Sequence, residues 1–312
     1  MIIVDAHTDT LTKLIATGEN IYSNSLNLDI KRMKKRGKYV QFFAAFISPE
    51  YYGGRAMKRA IELIDKFYEQ WKTYKDDMML CCNYNDIVTS LNENKVAAIL
   101  SIEGGEALQG SLAALRMFYK LGVRSICLTW NNRNEIADGV AEGITGGGLT
   151  NFGREVVREM NRLGMLIDLS HISERGFWDV ITLSQQPVIL SHSNARAVLN
   201  HRRNVTDEQI KAVKENGGVI GINLYPYFLN QAGVHSVSDA IRHIEHIISI
   251  AGEDHVGIGA DFDQMEPVFD GIDGVKYIEN IIEELLKMNY TTDIVSKIAG
   301  GNFLRVIKQV MQ

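Results

Sequence analysis

The sequence has few of the residues that mark extracellular scaffolds and extended linkers. Its 312 residues include only three cysteines, Cys81, Cys82 and Cys127. An odd number without zinc-finger spacing excludes a simple disulfide framework and a structural zinc site built on cysteine. Free, buried thiols in a reducing compartment fit this pattern. Only four prolines are present, and no low-complexity stretch divides the chain, so we predict one domain over residues 1–312.

Membrane and nucleic-acid partners also lack their usual signals. No apolar run approaches the ~18 residues that a membrane-spanning helix needs, and no charged and apolar secretory leader is visible. Lysine and arginine number 33 against 38 acidic residues, which gives a net charge of −5. Without a large basic patch, nucleic acid is an unfavourable partner. We therefore expect a cytoplasmic protein that binds neither membrane nor nucleic acid.

What the sequence does contain is an alternation of short apolar strands and amphipathic helices. Eight strands are predicted, at Ile2–Val4, Val40–Phe46, Ala97–Ile102, Ser125–Leu128, Leu166–Leu169, Val188–Leu190, Val219–Ile222 and Val256–Gly259. Helical patterns such as "RAMKRAIELIDKFYEQWKTY" and "GREVVREMNRLG" lie between them. Near-continuous apolar strands separated by helices predict a parallel sheet covered on both faces, and eight such units predict an α/β fold of the (β/α)₈ TIM-barrel type. A doubly wound open sheet is the alternative, although no Gly-x-Gly-x-x-Gly motif follows the first strand.

Polar residues follow directly after several of these strands. They are His7, Asp9, Glu103, His171, His192, Asp261 and Asp263. Because barrel active sites form where the carboxyl ends of the strands meet, we expect these side chains to converge. Each one alone is explained by helix capping or by a buried, hydrogen-bonded side chain. The whole set, which includes three of the chain's eight histidines, predicts a metal centre.

The number of candidate ligands exceeds what one catalytic zinc ion uses, which is three protein ligands and a water. A centre of two metal ions ~3.5–4 Å apart uses the surplus, with Glu103 as the bridge because each of its oxygens can serve one ion. A water held between the ions becomes a hydroxide nucleophile, and Asp261 is expected to orient it and carry its proton to the leaving group. The predicted reaction is metal-assisted hydrolysis of an amide or ester.

Seven segments, in order, carry a family resemblance. They are "DAHTD", "SIEGG", "GMLIDLSH", "VILSHSNARAV", "HRRNVTDE", "NGGVIGINLYPYF" and "HVGIGADFD", and with the closing "AGGNFLRV" they span nearly the whole chain. Together they resemble the membrane (renal) dipeptidases, zinc dipeptidases of peptidase family M19 in the amidohydrolase superfamily. The resemblance implies a (β/α)₈ barrel that hydrolyses dipeptides and tolerates a D-residue at the C-terminal position, as bacterial L-Xaa-D-Xaa dipeptidases do.

The resemblance also implies a ligand set for two zinc ions per chain. His7 and Asp9 would bind one ion, His171 and His192 the other, and Glu103 would bridge both. Family members are often homodimers, so the resemblance implies a homodimer as well.

For the substrate, the resemblance implies that Arg203 grips the C-terminal carboxylate, that Tyr225 lines the pocket and that Asp261 handles the catalytic proton. A guanidinium suits the first role because it binds a carboxylate through two parallel hydrogen bonds. The chain departs from the family after "LT", where the family has a histidine that polarises the scissile carbonyl and this sequence has Trp130 followed by Asn131. Asn131, the indole N–H of Trp130 or a metal then supplies that interaction, or the substrate differs.

Two alternatives to a dipeptidase are left open by the residues. One is another amidohydrolase-type activity, such as a lactonase or deamidase acting on a small carboxylated substrate. The other is a barrel without catalysis that serves as a binding or scaffold protein, which a complete ligand set argues against. No lysine follows a strand as the carboxylated-lysine branches of the superfamily require, and Glu103 stands in the bridging place.

Overall fold

The computed structural model describes residues 1–143, 145–264 and 271–312. In that part of the chain the strands are β1 (Ile2–Asp5), β2 (Lys38–Phe46), β3 (Met78–Leu80), β4 (Val96–Glu103), β5 (Val123–Cys127), β6 (Leu166–Asp168), β7 (Ile189–Leu190), β8 (Val219–Ile222) and β9 (Val256–Ile258). Every strand pairing is parallel. All eight predicted strands are present, with ends that differ by a few residues at most.

Eight of these strands close into a barrel. The order is β2-β1-β9-β8-β7-β6-β5-β4, and β2 pairs again with β4 from Val40↔Ala97 to Phe46↔Glu103. This closure confirms the predicted (β/α)₈ barrel and excludes the open doubly wound sheet. The additional strand β3 was not predicted. It pairs only with the first residues of β4, and its three residues are too few to form a recognisable pattern.

Helices cover the outside of the barrel. Within the described residues they are α1 (Thr10–Thr17), α2 (Ile30–Lys35), α3 (Ala56–Thr73), α4 (Tyr84–Asn92), α5 (Leu112–Lys120), α6 (Asn151–Leu163), α7 (Glu174–Leu183), α8 (Asp207–Asn216), α9 (Pro226–Leu229), α10 (Val237–Ala251), α11 (Gly274–Lys287), α12 (Thr292–Ser296) and α13 (Asn302–Val310). The two quoted helical patterns correspond to α3 and α6, and α6 ends at Gly164 in the left-handed conformation that suits glycine. None of the described helices is at once long and apolar enough to cross a bilayer.

The barrel is sealed at the end where its strands begin. Phe303 and Val306 of α13 belong to one apolar cluster with Val4 of β1 and Phe42 of β2. The rings of Phe42 and Phe303 lie 6.3 Å apart between centroids. The opposite end, where the strands finish, is therefore the one that presents polar side chains to a ligand.

Candidate metal centre

The predicted ligands and the predicted proton carrier lie together at the carboxyl ends of five barrel strands. Each is at most 6% exposed, and they are His7, Asp9, Glu103, His171, His192 and Asp261. Glu103 is the last residue of β4, while the others follow β1, β6, β7 and β9 within a few residues. Ionisable groups this deeply buried need partners. Here the partners are chiefly one another.

Glu103 stands at the centre of the cluster and faces two groups with its two oxygens. Its Oε1 lies 3.0 Å from Nε2 of His171 and 3.4 Å from Nε2 of His192. Its Oε2 lies 3.3 Å from Nε2 of His7, which is itself 3.9 Å from Oδ1 of Asp9. In each of the trios His7–Asp9–Glu103 and Glu103–His171–His192 the ligand atoms lie within 4.8 Å of one another. Glu103 therefore belongs to two adjoining candidate metal sites.

The donor atoms fit a metal ion better than they fit one another. Nε2 of His171 and Nε2 of His192 lie 2.9 Å apart. The Nδ1 atoms of both rings make hydrogen bonds to other residues. The two Nε2 lone pairs therefore point toward one place, and Oε1 of Glu103 lies beside it. Neighbouring nitrogens on a tetrahedral zinc ion lie roughly 3.3 Å apart, close to this separation. Across the described residues, Nε2 of His7 and Oδ1 of Asp9 likewise make no hydrogen bond, as expected of atoms that serve a cation.

The pKa values reflect the crowding of these groups. Burial, reinforced by neighbouring positive charge, lowers the pKa of His171 to about 3 and that of His192 well below its usual range. Burial acts the same way on His7, but the surrounding carboxylates, Glu103 above all, outweigh it and raise the His7 pKa to about 10. Burial disfavours ionised Glu103, yet the nearby histidines hold its pKa well below normal. His171 and His192 are thus neutral imidazoles at neutral pH, the form that a metal ligand requires, whereas His7 carries a proton unless a cation replaces it.

Three residues of the site have an unusual backbone conformation. His171, Asp261 and Asp263 have φ values of 67°, 62° and 63°, in the left-handed region that residues with a Cβ rarely adopt. Such strain persists only where the surroundings impose it, and it clusters at functional sites. The carboxylate of Asp263 accepts hydrogen bonds from the hydroxyl of Thr10 and from the backbone N–H of Asn27. These hydrogen bonds fix the loop that carries Asp261.

Asp261 lies beside the His7 side of the cluster. Its Oδ1 is 3.8 Å from Nε2 of His7, and its Oδ2 accepts a hydrogen bond of 2.7 Å from Nδ2 of Asn223. Burial is the main cause that raises the pKa of Asp261, to about 6, with Glu103 adding to it and His7 opposing it. A carboxyl group with a pKa near neutrality can both accept and release a proton under ordinary conditions.

A cleft of about 480 Å³ opens over the cluster and is large enough for a small ligand. Arg203 lines it and is only 4% exposed. Its Nη2 donates to the carbonyl of His192 at 3.0 Å, while its Nε makes no hydrogen bond within the described residues. Tyr225 also lines the cleft, packed on Phe228 at 4.7 Å between ring centroids. The cleft thus combines a buried guanidinium with an aromatic wall.

Trp130 and Asn131 lie on the His171 side of the same cleft. The Trp130 ring is 5.5 Å from the ring of Phe46 and 6.0 Å from that of His171, between centroids. Asn131 Oδ1 accepts a hydrogen bond of 2.9 Å from Nδ1 of His171. The structure thus brings Asn131 against a candidate ligand, and the carbonyl-polarising role of either residue stays a prediction.

Sequence reasoning missed the polar residues that support the site. Ser191 is hydrogen-bonded to the ring of His192, and Asp168 is hydrogen-bonded to Ser191. Asn223 donates a hydrogen bond to Asp261. A signal for each was present, since Asp168 ends β6, Asn223 directly follows β8 and Ser191 directly follows β7. The rule that identified the candidate ligands, a polar residue at a strand end, applies to these three as well.

Comparison with known proteins agrees with the geometry of the site. A family model described as membrane dipeptidase (peptidase family M19) matches residues 1–312. This chain belongs to that family. An uncharacterised dipeptidase of Schizosaccharomyces pombe is 36% identical to this M19 chain, over 98% of the chain and 80% of the yeast protein. The resemblance read from the seven sequence segments is confirmed, and the chain is a metal-dependent dipeptidase.

Solved structures of metallopeptidases have the same fold. One, the dipeptidase AC, superposes with a TM-score of 0.90 at 28% identity, covering 100% of this chain and 99% of the other. A metallopeptidase of Rhodobacter sphaeroides, solved with a phosphinate mimic of the dipeptide L-Ala-D-Ala, gives the same TM-score and identity over 99% of each chain.

Proposed function

We propose that this chain hydrolyses dipeptides of the L-Xaa-D-Xaa type at a centre of two zinc ions. The observation that carries the proposal is the position of Glu103, whose two oxygens face two separate sets of ligands. His7 and Asp9 would hold one ion, and His171 and His192 the other. One carboxylate shared in this way holds two ions close together, the arrangement that two-metal hydrolases use.

Zinc bound there would polarise the scissile carbonyl and lower the pKa of a water molecule toward neutrality. Asp261 would then take up the proton of the attacking water on Oδ1 and pass it to the amine that leaves. Its hydrogen bond from Asn223 keeps the other oxygen turned away from the cluster, so that Oδ1 faces the reacting atoms. A pKa of about 6 favours both halves of this transfer near neutral pH.

Arg203 would anchor the C-terminal carboxylate of the substrate. Its buried guanidinium has spare hydrogen-bonding capacity at Nε and lies next to His192, so that an anchored dipeptide extends over the cluster. Tyr225 would pack against the substrate beside this anchor. The D-residue preference is supported by the Rhodobacter relative, whose bound ligand mimics L-Ala-D-Ala.

A lactonase or deamidase is the second candidate, and Trp130 is the observation that favours it. An indole lines the cleft where the family resemblance implies an imidazole, so polarisation of a peptide carbonyl must come from another group. Loss of an oxyanion donor costs roughly 10²–10³-fold in rate elsewhere. A substrate with a more reactive carbonyl, such as a lactone, tolerates that loss better.

The deciding experiment is hydrolysis of a matched panel by zinc-loaded enzyme. L-Ala-D-Ala, L-Ala-D-Glu, L-Ala-L-Ala and a simple lactone are compared, with His192→Ala as the inactive control. Cleavage of the L,D-dipeptides that disappears in the control supports the proposal. Two bound zinc ions with lactone cleavage and no peptide cleavage would replace it by the second candidate.

Three accompanying predictions concern the whole protein. A homodimer is expected from the resemblance and is tested by sedimentation velocity. A cytoplasmic location and a single domain over residues 1–312 likewise stay predictions. Limited proteolysis tests whether the chain is a single domain.

A further inference from the structure

Two successive hydrogen bonds connect the side chains of Asp168, Ser191 and His192. The carboxylate of Asp168 accepts a short hydrogen bond at Oδ2 from the hydroxyl of Ser191. Because that hydroxyl proton is used, Ser191 Oγ can only accept from the imidazole, and Nδ1 of His192 lies 2.7 Å from it. Nδ1 of His192 must therefore carry the hydrogen, which leaves Nε2 with a free lone pair. All three residues are at most 3% exposed, so water does not compete with this order.

His171 is held in the same tautomer by a different residue. Its Nδ1 lies 2.9 Å from Oδ1 of Asn131, an acceptor, so Nδ1 again donates and Nε2 is left with its lone pair. The two Nε2 atoms then face each other at 2.9 Å with no hydrogen between them. Without a cation this contact is unfavourable, so the side chains behind the rings impose it.

We propose that Asp168, Ser191 and Asn131 are positioning residues that lock both imidazoles in the Nδ1–H tautomer and so set the zinc affinity of the His171–His192 site. The inference rests on the proposed metal centre and deepens it. Hydrogen-bonded groups behind metal-bound histidines fix ring orientation and raise ligand basicity, and their loss typically costs 10–100-fold in metal affinity.

A purely structural role for Asp168 can be separated from this one. Its Oδ1 accepts from the backbone amides of Ser170 and Ser191, at 2.9 and 3.0 Å, and thereby shapes the loops after β6 and β7. Only Oδ2 receives the Ser191 hydroxyl. The variant Ser191→Ala therefore breaks the path to His192 and leaves both backbone hydrogen bonds in place. Asp168→Asn disturbs both and is less informative.

The matched control is Ser193→Ala. Ser193 flanks His192 on its other side, is 2% exposed, and its hydroxyl has no hydrogen-bond partner in the described part of the chain. Zinc is titrated away from the holoenzyme with a chromophoric chelator of known affinity. For Ser191→Ala we expect one of the two zinc ions to bind 10–100-fold more weakly, while Ser193→Ala keeps wild-type affinities. Equal affinities in the two variants would overturn the proposal.

Asn131 gives an independent test with a spectroscopic readout. Asn131→Leu removes the acceptor for Nδ1 of His171 and should weaken zinc binding 10–100-fold. Asn131→Asp keeps an acceptor there and should bind zinc as tightly as the wild type. In ¹⁵N-histidine spectra of the metal-free protein at pH 7, His171 and His192 should both show the Nδ1–H pattern. Asn131→Leu should shift His171 alone and Ser191→Ala His192 alone; unchanged spectra would contradict the inference. If the wild type itself binds no zinc, the proposed centre fails, and the spectra still test the tautomers.

Discussion

The two halves of the candidate centre hold their ligands in opposite ways. His171 and His192 are neutral imidazoles whose far nitrogens are hydrogen-bonded to Asn131 and Ser191. In the other half, Nε2 of His7 and Oδ1 of Asp9 make no hydrogen bond within the described residues. Hydrogen bonds to the rings orient the side chains of the His171–His192 half. In the His7–Asp9 half, electrostatic interactions between the side chains take that place.

This difference separates two costs of binding a cation. The His171–His192 half is ordered in advance and has no proton to displace, since burial keeps both pKa values low. The His7–Asp9 half has a further carboxyl group, Asp261, close by, but His7 must first lose a proton because its pKa is raised to about 10. Burial also raises the pKa of Asp9 well above its usual range. Glu103 couples the halves because each uses one of its oxygens.

The largest expected effect comes from removing that coupling. Glu103→Ala should release both zinc ions, since each half loses a ligand and the remaining negative charge is too small to hold two divalent cations. Loss of metal activation removes several kcal/mol of transition-state stabilisation, so kcat/KM should fall ~10³–10⁴-fold or more. Metal analysis by mass spectrometry and steady-state kinetics measure both. Retention of one zinc equivalent would mean that Glu103 serves only one half.

Asp261→Asn should act on one half and on the proton transfer, without emptying the site. The amide keeps the shape but cannot accept the proton, so kcat should fall ~10²–10⁴-fold at pH 7. Because Asp261 helps to raise the pKa of His7, that pKa should fall in the variant. Kinetics and zinc content are the measurements. A variant that loses zinc together with activity would show that Asp261 is a ligand.

Proton release compares the two halves directly. At pH 7 His7 is below its raised pKa of about 10 and is protonated, so filling its half should release about one proton or more, while filling the His171–His192 half should release none. Calorimetric zinc titrations in buffers of different ionisation enthalpy count the protons. Asp9→Ala isolates the histidine half, and His171→Ala the other. Equal proton release from both variants would contradict the comparison.

The parts that the sequence made predictable are those with a repeating rule. Eight apolar strands and a polar residue after each of five of them specified the barrel and brought His7, Glu103 and His192 to one end of it. The three-residue β3 escaped because a strand that short has no pattern. The left-handed backbone at His171 and the tautomers of the imidazoles depend on contacts between distant loops, and no local pattern encodes them.

The smallest expected effect concerns Glu106, a buried acid that lacks the histidine partners of Glu103. It lies three residues after Glu103 and is also buried, at 5% exposed, but its carboxylate oxygens make no hydrogen bond in the described part of the chain. Burial therefore raises the pKa of Glu106 to about 7, against the weaker opposing effects of its own backbone amide and of nearby Asn134 and Tyr52. The pKa values of two buried acids only three residues apart thus shift in opposite directions, because the histidines that lower the pKa of Glu103 do not act on Glu106.

The sign of the stability change follows from that raised pKa. The folded state holds a proton on Glu106 that the unfolded chain releases from about pH 4.5 upward, so the free energy of unfolding falls as the pH rises toward 7. Glu106→Gln removes this penalty and should stabilise the protein by roughly 2–3 kcal/mol at pH 8, with little change at pH 4.5. Urea unfolding at both pH values measures it, with the exposed Glu155→Gln as control. Stabilisation of equal size at both pH values would point to packing and not to the raised pKa of Glu106 as the cause.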